Sequence, residues 1–159
     1  MFSYAENIKS VIVSSIPSKF FVDPITGESN VGIGYTGYNK ALAYSRLNNL
    51  DYFCAIFLFG GEPSSPSPFN ATIWTWNYIV RVYRRTDAMA EGSSMDEDMM
   101  DLAGDFIDMM NNPVNKQAIV TSGAARIVSV NDMLEITMIN DISYLINSMV
   151  IGVKEQIVT

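Results

Sequence analysis

The chain has no histidine, and that one absence removes His-based catalytic triads, imidazole metal sites and any near-neutral imidazole switch. Its single cysteine, Cys54, excludes an internal disulfide and a thiolate zinc cluster. Charge is sparse, with 17% charged residues, and bases are scarcer than acids: 10 against 17, a net charge of −7. That balance opposes tight binding to a phosphate backbone. Long apolar runs are missing as well. Tyr52 to Phe59 is the longest at eight residues, whereas a spanning helix needs about 20. Glu6 and Lys9 fall where a signal peptide would carry its apolar core, so the expectation is a soluble protein made in a reducing cytoplasm. What remains is 159 residues with 48% hydrophobic and 11% aromatic content. A single domain of that size buries roughly 70% of the surface its unfolded chain exposes.

Helical and strand periodicities occupy different parts of the chain. Tyr4, Ile8, Val11, Ile12 and Ser15 recur at helical spacing, predicting a short amphipathic helix that ends before Pro17. Lys19 to Val22 reads as a short strand, closed by the turn pentad Asp23-Pro24-Ile25-Thr26-Gly27. Residues 28 to 50 are ambiguous: Gly32, Gly34 and Gly37 loosen them, and Tyr38 to Leu50 has weak helical character. Tyr52 to Phe59 is apolar on both faces, as a strand buried on two sides would be. Gly60 to Pro68 holds three prolines and two glycines in nine residues and reads as an exposed loop. From Thr72 to Arg85 the period is two, with Trp74, Trp76, Tyr78, Val80 and Val82 on one face.

Ser94-Met95-Asp96-Glu97 fits a capping box and opens the best helix, whose apolar stripe is Met95, Met99, Leu102, Ala103, Phe106 and Met110. Asn111-Asn112-Pro113 stops it. Gly104 sits mid-helix at a cost of about 1 kcal/mol, as though to admit a strand. Short strands are expected at Gln117–Thr121, Arg126–Val130, Leu134–Ile139 and Ile142–Val153. The apolar side of that last third shifts from even to odd numbers, which predicts a bulge or break near Asn147. Segregated helices and strands define an α+β class. The expectation is a single domain over 1–159, a mostly antiparallel sheet with an amphipathic helix on one face and a short N-terminal helix. Extended loops are expected near 23–37, 60–71 and 86–93.

No constellation supports catalysis. Gly32-Ile33-Gly34-Tyr35-Thr36-Gly37 matches the dinucleotide fingerprint, but a turn precedes it instead of a strand, so a flexible glycine loop is the better reading. The acids Asp96, Glu97, Asp98, Asp101, Asp105 and Asp108 lack calcium-loop spacing and read as a solvated helix face. The sharper alternative is that this face meets a basic partner surface. Arg81, Arg84 and Arg85 form the one basic cluster, suited to carboxylates across a subunit boundary. Trp74, Trp76 and Tyr78 read as core, and Met89 and Met100 as adaptable contact residues. There is no Gly-x-Ser-x-Gly elbow, and Cys54 inside an apolar strand is inert. No catalytic, cofactor or metal residue is expected.

From Thr72 onward, the layout resembles the tail-terminator and head-to-tail joining proteins of long-tailed bacteriophages. The likeness lies in the long strand Trp74–Tyr83, a loop, the acidic helix Asp98–Asp108, and short strands around Ala118–Val120 and Ile127–Val130. A terminal strand Ile142–Val153 and the N-terminal helix Ser3–Ser15 complete it. It covers roughly half the chain and has no signature motif. It implies a structural virion protein at the head-tail junction, a homo-oligomeric ring, sixfold, that caps the tail tube and joins it to the neck and connector proteins. DNA would pass through without specific binding, eased by an acidic lumen. Phe69, Tyr83, Arg84 and Arg85 are then the expected subunit or partner contacts. The alternatives are another neck or head-completion (stopper) protein, an enzyme using the segment 32–37, or a bacterial adaptor domain.

Overall fold

Alternation is clearest between Thr72 and Arg85, and in the computed structural model this stretch is the middle strand of a six-stranded sheet. The structure describes residues 4–23, 25–34, 50, 52–63, 71–86, 95–130, 135–139 and 141–158. Its strands are β1 (Val31–Gly34), β2 (Tyr52–Pro63), β3 (Ala71–Arg85), β4 (Ala124–Val130), β5 (Glu135–Ile139) and β6 (Ile142–Val158). The helices are α1 (Ala5–Ser15), α2 (Ser18–Phe21), α3 (Met95–Asn111) and α4 (Pro113–Ile119). The protein is a single α+β domain with a mostly antiparallel sheet.

The sheet is built around one pairing. All 15 residues of β3 pair antiparallel with β6, from Ala71↔Val158 to Arg85↔Tyr144, without a shift of register. β2 pairs with the other edge of β3, and β1 runs parallel to β2. The far edge of β6 is shared: β5 takes Ile142–Ile146 and β4 takes Met149–Lys154. Because side chains alternate between faces, this register sorts the apolar residues into two clusters. Tyr78, Val80 and Val82 of β3 face the helices, with Ile8 and Ile12 of α1, Phe21, and Met99 and Phe106 of α3. Phe53, Ala55, Phe57, Tyr83, Tyr144 and Ile146 form a second cluster on the opposite face. A fully buried side chain of this size contributes about 1.5–3 kcal/mol, so the helix-side cluster dominates.

Helix boundaries follow local chemistry. α1 stops where Pro17 forces Ile16 into an extended conformation (φ −87°, ψ 141°). The pentad after α2 is a turn as expected: Asp23 Oδ1 accepts from the Ile25 and Thr26 amides at 2.8 and 3.1 Å, and Gly27 takes φ +72°. In α3 the expected stripe is buried at Met99, Leu102, Ala103, Phe106 and Met110, joined by Met109. Ser94, the cap residue, lies outside the described residues, as do Met89 and all but Leu50 of the weak helix expected at Tyr38–Leu50.

Several expectations are corrected. Ser18–Phe21 is a helical turn, where a strand was read. Val31–Gly34 is strand β1, not a flexible loop, and its Val31 and Ile33 pair with the apolar Cys54 and Ile56. β2 runs on to Pro63, because β3 offers pairing partners up to Trp74. Proline is tolerated there at a strand end, and Gly61 is required because a Cβ would collide with the Trp76 ring. Residues 117–119 close helix α4, not a strand: Asn112 Oδ1 accepts from the Val114 amide at 2.9 Å and Pro113 occupies the first turn.

The expected break at Asn147 is absent, since Val82↔Asn147 pairs in continuous register. The bulges are in β4, between Ile127 and Ser129, and in β2, between Leu58 and Gly60. The parity shift arises because Tyr144, Leu145 and Ile146 are buried on both faces, whereas Met149, Ile151 and Val153 face only the helix-side core. Asn147 itself is 2% exposed, and its Oδ1 has no hydrogen-bond partner.

Gly104 admits no strand either. Nothing lies within 4 Å of the position its Cβ would take. Gly104→Ala is therefore expected to raise stability by about 0.5–1 kcal/mol, visible as a higher urea midpoint with unchanged slope. A lower midpoint would mean that α3 is strained at this point.

Candidate functional site

Of the four expected contact residues, the three that are described do not share one face. Phe69 lies outside the described residues. Tyr83 is 1% exposed, its ring 6.1 Å from that of Phe53 and 6.4 Å from that of Tyr144, so it packs inside the chain and offers no surface. Arg84 and Arg85 are half-buried and, as consecutive strand residues, point to opposite faces of the sheet. Arg84 holds its guanidinium 4.6 Å from the Tyr52 ring centroid on the helix side. The basic cluster read from the sequence is thus split by the pleat.

Arg81 lies on the other face, 5.4 Å above the Phe57 ring. It lines a shallow cleft of about 240 Å³ with Tyr83, Glu135, Thr137, Ile139 and Ile146. The cleft holds one base and one acid, and it is too open to exclude water from a reaction.

A second constellation escaped sequence reading because its members are 74 to 151 residues apart. The carboxylate of Glu155 accepts the Tyr4 hydroxyl on one oxygen and the Trp76 Nε1–H, at 2.7 Å, on the other. The Tyr4 amide donates to the Tyr78 hydroxyl at 2.9 Å. Trp74 stacks on Trp76 at 5.1 Å and 11°. Burial, followed by the bond to Glu155 and its charge, pushes the Tyr4 phenol well above its ordinary range. With both carboxylate oxygens engaged, Glu155 works as a clasp that ties the start of α1 to the sheet, and the tryptophans act as its packing.

The remaining candidates carry no chemistry of their own. Gly32 and Gly34 lie within β1, with Gly32 paired to Ala55, so they do not form a turn at a strand's end. Cys54 is fully buried, and desolvation raises its thiol pKa, leaving it protonated. Among the described residues no group of three or more acids, cysteines or histidines could hold a metal ion. Among the described residues no helix is long and apolar enough to cross a membrane.

The surface is more informative. Phe59 is 70% exposed, Ile136 71%, and Ile73, Val128 and Met138 are exposed as well. All five stand on strands of the sheet. On α3, Met100 and Ile107 are exposed beside Asp101, Asp105 and Asp108. No protein-family model matches the chain, and no curated protein matches it.

Glu155→Ala leaves the Trp76 N–H and the Tyr4 O–H without their acceptor. It is expected to lower unfolding free energy by about 1–3 kcal/mol in urea denaturation, with Glu155→Gln losing less. Equal losses for both variants would show that the charge, not the acceptor, matters.

Proposed function

We propose that the chain is a structural virion protein, a tail terminator at the head-tail junction of a long-tailed bacteriophage. Identical copies form a homo-oligomeric ring, sixfold in the family it resembles. The ring caps the tail tube and binds the neck and connector proteins, and DNA passes through it without specific contacts. The protein acts by cohesion: association energy between copies replaces turnover of a substrate.

The observation that carries this reading is the placement of apolar side chains on the sheet's exposed surface. Single exposed apolar residues are ordinary. Here Phe59, Ile73 and Val128 are exposed on the face turned away from the helices, and Ile136 and Met138 on the opposite face of β5, all on strands of one continuous sheet suited to a fixed contact. The order of elements gives further support: N-terminal helix, long hairpin strands, acidic helix, short strands and a long terminal strand. A heterologous contact of this kind closes into a ring when its rotation allows. The net charge of −7 suits a channel that DNA must traverse without being held.

Sedimentation velocity and negative-stain electron microscopy of the purified chain test this. The expected result is a closed oligomer with a central opening that does not retain double-stranded DNA at physiological salt. A monomer at every concentration, with a melting temperature raised by a nucleotide, would overturn the reading in favour of an enzyme.

A further inference from the structure

Two surfaces on opposite sides of the molecule match in charge and in relief. The first is the outer face of α3. Met99, Leu102, Phe106 and Met110 turn inward, so the helical period puts Asp101, Asp105 and Asp108 in a row on the opposite side. Asp101 and Asp108 stand about 10 Å apart along the axis. Met100 and Ile107 flank that row, and Gly104 lies between them with nothing within 4 Å of its Cβ position. Within a single chain, this glycine weakens the helix and serves no contact.

The second surface is the face of the sheet turned away from the helices, in its distal half. The register brings Gly60, Asn77 and Gly152 side by side across β2, β3 and β6. They make a shallow floor, with exposed Phe59 at one side and Val128 at the other, the latter leaning over Gly152. Arg126 pairs with Gly152, and Lys154 is two residues farther along β6 on the same face. Such diagonal neighbours are about 8 Å apart, close to the spacing of the α3 carboxylates. Arg126 and Lys154 are exposed, and neither they nor the three aspartates form an ion pair among the described residues. Among the described residues the strand acids on this face are Glu62, in line with Lys154 across Thr75, and Glu135, opposite Ile146 and away from the pair.

We propose that these surfaces are the two halves of a head-to-tail contact between copies: the outer face of α3 of one chain seats on the distal open face of the sheet of a second chain. The assignment rests on the self-assembling reading above. Pairing like with like would oppose aspartate to aspartate or Arg126 and Lys154 to themselves, and juxtaposed like charges cost several kcal/mol. Only the unlike pairing satisfies both charged rows, and it leaves each chain with one free half, the condition for a ring or filament. Gly104 gains a role: without a side chain there, the helix backbone can approach the floor at Gly60 and Asn77, beside the Val128 side chain that covers Gly152. The acidic row is thereby assigned to a subunit contact and not to the channel wall.

Two charge-reversed variants test the contact, one carrying Asp101→Lys, Asp105→Lys and Asp108→Lys, the other Arg126→Glu and Lys154→Glu. Sedimentation velocity should show each variant alone associating at least about tenfold more weakly than the wild type. The two mixed should associate again, because each supplies the half that the other has kept. Gly104→Leu provides a variant safe for folding: its melting temperature should not fall, yet its association should be lost. Wild type that assembles while all these variants assemble equally well overturns the contact and leaves the ring reading standing. Variants that fail alone and also fail when mixed overturn the head-to-tail pairing. A wild type that is monomeric at its highest soluble concentration overturns both.

Discussion

The unbroken antiparallel pairing of β3 with β6 is the constraint on which the other features depend. It runs for 15 residues, about 50 Å of ladder, and joins segments more than 50 residues apart in sequence. Because the register never slips, each side chain's face is fixed along the whole length. Tyr78, Val80, Val82, Met149, Ile151 and Val153 are committed to the helix side. Arg81, Tyr83, Tyr144 and Ile146 are committed to the other. The remaining strands add to this template, and the helices cover its apolar side. The Glu155 clasp works on the same basis, since Trp74↔Glu155 pairing sets the carboxylate beside both tryptophans.

The two faces end up unequal. One is closed by α1, α3 and α4 into a continuous core. The other has its own apolar cluster at one end and, toward the other, a floor of small residues edged by exposed apolar and basic side chains. An open face of that composition, with an acidic, partly apolar helix on the opposite side of the same chain, is what the proposed contact between copies draws on. The one cysteine is buried and protonated, and Glu155 has both oxygens occupied.

How much could be read in advance depended on whether the deciding interaction was local. The period of two in Thr72–Arg85 and the stripe of α3 are local, and both are found as expected. The Asn112-Pro113 cap is local too, but in the sequence it reads only as the stop of α3, and the helix it opens, α4, is a finding of the structure. β1 and the end of β2 were hidden by glycine and proline, whose turn preference is overridden by an adjacent strand offering partners. The shift of apolar parity at Asn147 was read as a broken strand, when the cause is a change in what covers each face. Arg84 and Arg85 looked like one site because adjacency in sequence was taken for adjacency in space. The Tyr4–Glu155–Trp76 clasp had no sequence signal at all, since only the folded register brings it together.

Cohesion between copies through the uncovered sheet face and α3 is the central claim, and hydroxyl-radical footprinting at low and high protein concentration tests it most directly. Phe59 on the sheet and Met100 and Ile107 on α3 should lose reactivity together as concentration rises, while Ile25, exposed on the turn after α2, stays reactive. Unchanged labelling of all of them in a sample that has assembled, or protection of Ile25 alone, would contradict the account.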